Sequence, residues 1–128
     1  VKALLDTHAF LWMLLDDRRL SPPARKILAD SRNILYLSSA STWEIAIKSQ
    51  LGRIELPDEP EKFVLEQIRV NGIEMLPITV RHSMATLRLP PIHKDPFDRM
   101  LIAQAISEHL PIITADPLIQ KYDAHTVW

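Results

Sequence analysis

Short apolar runs alternate along this chain with longer segments whose apolar residues recur every three or four positions, which predicts strands and helices in turn. Residues 3–6, 34–37, 73–78 and 111–114 are the apolar runs, with Pro77 interrupting the third, and 126–128 is a last short strand. The run 34–37 is too short and too β-favouring to be a helix. Helical spacing covers 8–15, where Phe10, Leu11, Leu14 and Leu15 form the apolar side. Ser21-Pro22-Pro23 reads as an N-cap with proline at the first helical position, opening a helix to about residue 30. Further helices are predicted over 42–51, closed by Gly52, over 61–70, ending near Gly72, over 80–87 and over 96–110. Residues 57–60 and 89–95 are loops, and 117–121 is a helical turn.

This alternation implies a parallel sheet with helices on both faces. There is no internal repeat or linker, so the 128 residues are expected to form one domain, 1–128. A hydrophobic fraction of 47% supports a packed core at this length. No apolar run approaches the ~20 residues of a membrane span, and the first residues lack the long apolar core of a secretory signal. With no cysteine, disulfides and thiolate metal sites are excluded. The expectation is a cytoplasmic protein with no membrane association. Only two glycines occur, so a glycine-rich phosphate loop is absent. A net charge of −1 argues against simple electrostatic binding to nucleic acid. It leaves open an enzyme that meets phosphate through bound cations.

The candidate chemistry lies in Asp6, Glu44, Asp98 and Asp116, each at a predicted passage from strand to helix. In open parallel sheets, ligands bind beyond the carboxyl ends of the strands. All four acids belong to that edge; whether they meet depends on strand order. Each also has a capping explanation. Ser41-Thr42-Trp43-Glu44 has capping-box spacing, which puts Glu44 in the first turn of its helix. Asp95 suits an N-cap before Pro96, with Asp98 in the first turn. Asp116-Pro117 is another such pair, and Asp6 suits the cap after strand one. Four acids on separate connections at one edge nevertheless exceed what capping requires, since Ser or Thr would cap without mutual repulsion. Clustered carboxylates raise each other's pKa unless a cation compensates. Carboxylates without cysteine suit a hard ion, Mg²⁺ or Mn²⁺. The five histidines have no i, i+4 pair and form no zinc pattern; His8 reads as a helix-start residue and His93 as a loop residue.

Leu5-Asp6-Thr7-His8, Ser41-Thr42-Trp43-Glu44-Ile45-Ala46-Ile47-Lys48, Asp95-Pro96-Phe97-Asp98-Arg99 with Ile102-Ala103-Gln104-Ala105, and Thr114-Ala115-Asp116 together resemble the PIN-domain family, most closely its VapC-type toxins of type II toxin–antitoxin systems. The resemblance spans nearly the whole chain, in order. It implies a three-layer α/β/α fold with a small parallel sheet flanked by helices, and a metal-dependent endoribonuclease that hydrolyses RNA phosphodiesters. By position, Asp6 and Asp98 match the principal Mg²⁺ ligands, with Glu44 and Asp116 completing the acidic site. Thr7, Thr114, Asp95 and Arg99 match supporting positions. Lys48, Lys94 and Arg99 are candidates for phosphate contact; Lys48 is alternatively on a solvated face, and Arg99 alternatively pairs with Asp95 at i, i+4. Trp43 reads as packing. The resemblance further implies a homodimer inhibited by a cognate antitoxin.

Other readings make distinct demands. A phosphoaspartate receiver needs paired acids after strand one, where Thr7-His8 stands. A haloacid-dehalogenase-type phosphatase needs a second Asp two residues after the first, where His8 stands. A non-catalytic RNA-binding module predicts basic or aromatic stripes, which are absent. A structural domain with capping acids predicts no metal binding.

Overall fold

The computed structural model describes residues 1–128. Its sheet has five strands, β1 (Lys2–Leu5), β2 (Ile34–Ser38), β3 (Glu74–Leu76), β4 (Ile112–Ile113) and β5 (Thr126–Val127), in the order β3-β2-β1-β4-β5. Every pairing is parallel. The helices are α1 (Thr7–Leu14), α2 (Pro22–Ala29), α3 (Ser39–Gln50), α4 (Pro60–Val70), α5 (Val80–Ala85) and α6 (Pro96–Glu108), with single 3-10 turns at Thr86–Arg88 and Ile119–Lys121.

Strand alternation sorts the core into two halves. Ala3, Leu5, Leu35, Leu37 and Ile113 point to one face, where Ala9, Phe10 and Leu11 of α1, Ala24 of α2, Ile45 of α3 and Val64 of α4 cover them. Leu4 and Ile112 point to the other, against Leu101, Ile102 and Ala105 of α6, Ala40 of α3, and Ile119 and Tyr122. The expected layered α/β/α architecture is therefore present. The central strands are apolar at nearly every position because both faces are buried.

The chain moves outward in one direction through β1, β2 and β3, then returns to the far side of β1 with β4. The reversal lies between β1 and β4. Leu5 pairs with both Leu37 and Ile113. Asp6 and Thr114, each the next residue in its chain segment, therefore emerge side by side at the carboxyl edge of the reversal.

Several boundaries differ from expectation. β3 is confined to 74–76, since Pro77 cannot extend the ladder. α3 begins at Ser39, capped by Ser38, whose hydroxyl accepts the Ala40 N–H at 3.0 Å. The capping box at Ser41–Glu44 is therefore absent, Ser41 is a buried helix residue, and Glu44 lies in the second turn rather than the first. Sequence reading went astray there because two serines stand upstream of the predicted cap. Gly52 (φ 71°) and Gly72 (φ 62°) end α3 and α4 in the left-handed region, as predicted. His109 (φ 55°) closes α6 without glycine, and that helix stops at 108 rather than 110.

Phe10 is fully buried between α1 and the sheet. Phe10→Ala is expected to cost ~3–5 kcal/mol, read as a lower urea midpoint at unchanged slope. A loss within experimental error would contradict this packing.

Candidate metal centre

Asp6 is the N-cap of α1, and its Oδ1 accepts the Ala9 N–H at 2.6 Å. Its Oδ2 accepts the Thr114 hydroxyl. Thr114 Oγ1 also accepts the Asp116 N–H at 3.0 Å, so one buried hydroxyl joins the first and last acids. Only 4% of Asp6 is exposed, and burial raises its pKa against the lowering effect of Thr114 and Ala9.

Glu44, also buried, accepts a hydrogen bond at each oxygen. Its Oε2 accepts Lys48 Nζ at 2.6 Å, and its Oε1 lies 2.7 Å from the Thr7 hydroxyl. Thr7 lies in turn 2.9 Å from Ser41 Oγ. A hydroxyl has one proton, so Thr7 donates to the carboxylate and accepts from Ser41. Lys48 is therefore an ion-pair partner of an acid rather than a free solvated cation.

Asp95 is the N-cap of α6, accepting the Phe97 N–H at 2.8 Å and the Asp98 N–H at 3.4 Å. Its carboxylate is thus turned to the helix end, and the capping reading of this residue holds. Asp98, in the first turn, has its pKa raised to about 7 by burial, then by the negative charges of Asp95, Glu44 and Asp6, with His93 opposing. Asp116 accepts the Leu118 N–H at 2.8 Å. Burial acts upward on Asp116, but hydrogen bonds from His93 and Leu118 outweigh it and leave its pKa lowered.

His93 is the residue that sequence reading missed. Its Nε2 lies 2.9 Å from Asp116 Oδ2 and 3.1 Å from Asp98 Oδ2. These three side chains bring ligand-type atoms within 4.8 Å of one another. No spacing rule would have found this, because a lone histidine in a loop has no helical partner. Arg99 is also corrected. It neither faces solvent as a phosphate contact nor pairs with Asp95. Its guanidinium donates to the carbonyls of Pro90 (3.0 Å) and Thr86 (3.0 Å), with longer contacts to Leu89 and His93. Five planar N–H donors suit this web of carbonyls. Trp43 is 62% exposed and meets Phe97 edge-on at 5.4 Å, so it is less a packing residue than expected. Lys94 remains exposed.

The donor set fits a hard divalent ion. Buried and half-buried carboxylates from β1, α3, α6 and the segment after β4 act on one another electrostatically, and the nearby cation, Lys48, is committed to Glu44. Two concavities open beside α3. One of 490 Å³ adjoins the cluster, lined in part by Thr7, Trp12, Lys48 and Arg53. The other, of 640 Å³, lies between α3 and α4 and contains none of the acids above.

A family model described as PIN domain matches residues 3–124. Ribonuclease VapC16 from Mycobacterium tuberculosis (strain ATCC 25618 / H37Rv) is 39% identical over 59 residues, which are 46% of this chain and 40% of that protein. The match thus spans under half the length of that relative. The crystal structure of VapBC2 from Rickettsia felis bound to a DNA fragment from their promoter contains a chain of similar fold. Its TM-score is 0.71 at 12% identity, over 99% of this chain and 98% of that one. No helix is long and apolar enough to cross a membrane.

Two outcomes follow from this geometry. A carboxyl whose folded pKa lies above its unfolded value, near 3.9, stabilises the fold fully only below that unfolded value. The contribution is lost as pH rises through about 7. Metal-free Asp98→Asn should therefore match wild type near pH 4 and exceed it at pH 8 by a few kcal/mol (order ~1–4), measured by urea unfolding in EDTA. A variant less stable than wild type at pH 8 would contradict the buried repulsion. Arg99→Lys, lacking the planar fork, should cost ~1–3 kcal/mol and speed hydrogen exchange at the Ile92 and His93 amides. Unchanged protection there would remove Arg99 from its scaffolding role.

Proposed function

We propose, on the premise that the chain belongs to the PIN domain family, that it is a Mg²⁺- or Mn²⁺-dependent endoribonuclease of the VapC type, the toxin of a toxin–antitoxin pair. The observation that carries this reading is the convergence of Asp6, Asp98 and Asp116, with Glu44 beside them, at the reversal of strand order. The VapC16 and VapBC2 likenesses support it. Residues 1–128 act as one nuclease domain in this reading.

Asp6 and Asp98 would hold the ion, with Asp116 and Glu44 completing the shell or binding through water. The ion supplies Lewis acidity toward the phosphate and lowers the pKa of the attacking water. The chain's own residues perform the positioning. Thr114 fixes Asp6 against Asp116, and Thr7 with Lys48 orients Glu44. Each Glu44 oxygen already accepts one hydrogen bond, from Thr7 or Lys48, and keeps a further lone pair for a cation or a water. The N-termini of α1 and α6 lie at the same edge, each already capped by a carboxylate, Asp6 and Asp95. A cognate antitoxin is the proposed inhibitor, a homodimer the proposed assembly, and the cytoplasm the proposed location.

Cleavage of a fluorescent RNA pool should require Mg²⁺ or Mn²⁺ and stop in EDTA. Asp98→Asn should reduce it to the EDTA level while retaining a cooperative unfolding transition. Full activity of that variant, or in EDTA, would sink the proposal.

A further inference from the structure

His93 bears its proton in a place that decides what it does. Its Nδ1 lies 3.2 Å from the Asp95 backbone nitrogen, an obligate donor, so Nδ1 is an acceptor. The ring proton of the neutral imidazole is then on Nε2, which faces Asp116 at 2.9 Å and Asp98 at 3.1 Å. A histidine that ligates a metal through one nitrogen ordinarily donates a proton from the other. Here the other nitrogen is accepting, so ligation through Nε2 would require a ring with no proton at all.

The position of the ring is fixed from behind. The His93 N–H donates to the Tyr122 hydroxyl at 2.6 Å, and that hydroxyl donates to the Pro90 carbonyl at 2.9 Å. Arg99 gathers the carbonyls of Thr86, Leu89, Pro90 and His93 around one guanidinium. A loop with little regular hydrogen bonding thereby holds an imidazole whose side chain is only 10% exposed.

We infer that His93 is a positioning residue rather than a metal ligand: its Nε2–H donates to Asp116 while the same nitrogen lies 3.1 Å from Asp98, so the ring holds Asp116 beside Asp98, two carboxylates from distant parts of the chain. This rests on the metal-nuclease reading above, and adds to it a role outside the acids. His93→Gln can retain a side-chain N–H donor near the Nε2 position, whereas His93→Ala removes the donor.

Mn²⁺ titration by calorimetry should show His93→Ala weakened by about 10–100-fold, with His93→Gln recovering most of the loss and both variants folded by circular dichroism. Pulsed EPR of the Mn²⁺-loaded wild type should show no directly bonded imidazole nitrogen. In metal-free wild type, a long-range ¹H–¹⁵N spectrum should report His93 as the neutral Nε2–H tautomer. Wild-type affinity in His93→Ala, a bonded imidazole nitrogen, or an Nδ1–H tautomer would each overturn the inference. If the wild type binds no Mn²⁺, the nuclease reading fails instead, and the tautomer still decides whether His93 Nε2–H donates to Asp116 beside Asp98.

Discussion

The hydrogen bond from the Thr114 hydroxyl to Asp6 joins the two strands between which the sheet changes direction. A parallel sheet that grew in one direction only would place β4 beyond β3, far from β1. Because β4 instead pairs with β1, the residues following Leu5 and Ile113 emerge together, and a crevice opens where their connections diverge. Thr114 closes the gap between them with a donor to one acid and an acceptor for the backbone of another. The rest of the cluster is arranged around this contact, since α1 begins at Asp6 and the segment bearing Asp116 leaves from Thr114.

Electrostatics sets the second constraint. Asp6 and Asp98 are both raised in pKa, chiefly by burial and further by their acidic neighbours. The fold therefore carries a local cost at neutral pH that a cation relieves. His93 hydrogen-bonds Asp116 and lies beside Asp98, the two acids nearest the rim, and the buried Glu44 is matched by Lys48. Each partner supplies hydrogen-bond donation, while the central carboxylates, Asp6 above all, have only neutral donors.

Legibility followed the range of the interaction. Apolar runs marked all five strands, and in β1, β2 and β4 this is because burial on both sheet faces leaves a local pattern. The caps at Asp6, Ser21 and Asp95 were legible because each satisfies helix amides two or three residues away. Ser38 was not preferred as a cap because Ser39, Ser41 and Thr42 offer the same chemistry in succession. The acids could be assigned to one edge from local reasoning, but their convergence required the strand order. His93 and Tyr122 stood outside any motif, since a hydrogen bond across 29 residues leaves no trace in spacing. Arg99 was recognised as a supporting position but misread in its contacts, because nothing local distinguishes a guanidinium facing phosphate from one facing carbonyls.

That misreading bears on how an RNA substrate would be met. Of the three candidate phosphate contacts, Arg99 and Lys48 are engaged inside the protein, one by main-chain oxygens and one by Glu44, while Lys94 is exposed. The cluster is therefore left negative, in a chain of net charge −1 overall. On the ribonuclease reading, attraction for the scissile phosphate then comes chiefly from the metal, with the exposed Lys94 the remaining side-chain cation beside the cluster. Arg53 is exposed and lines the adjoining cleft, where on the same reading it would meet the strand further along. On that reading, affinity and chemistry would be separated: Arg53 at the cleft would hold the flanking strand, while the reacting phosphate would be admitted only when a cation has neutralised the acids.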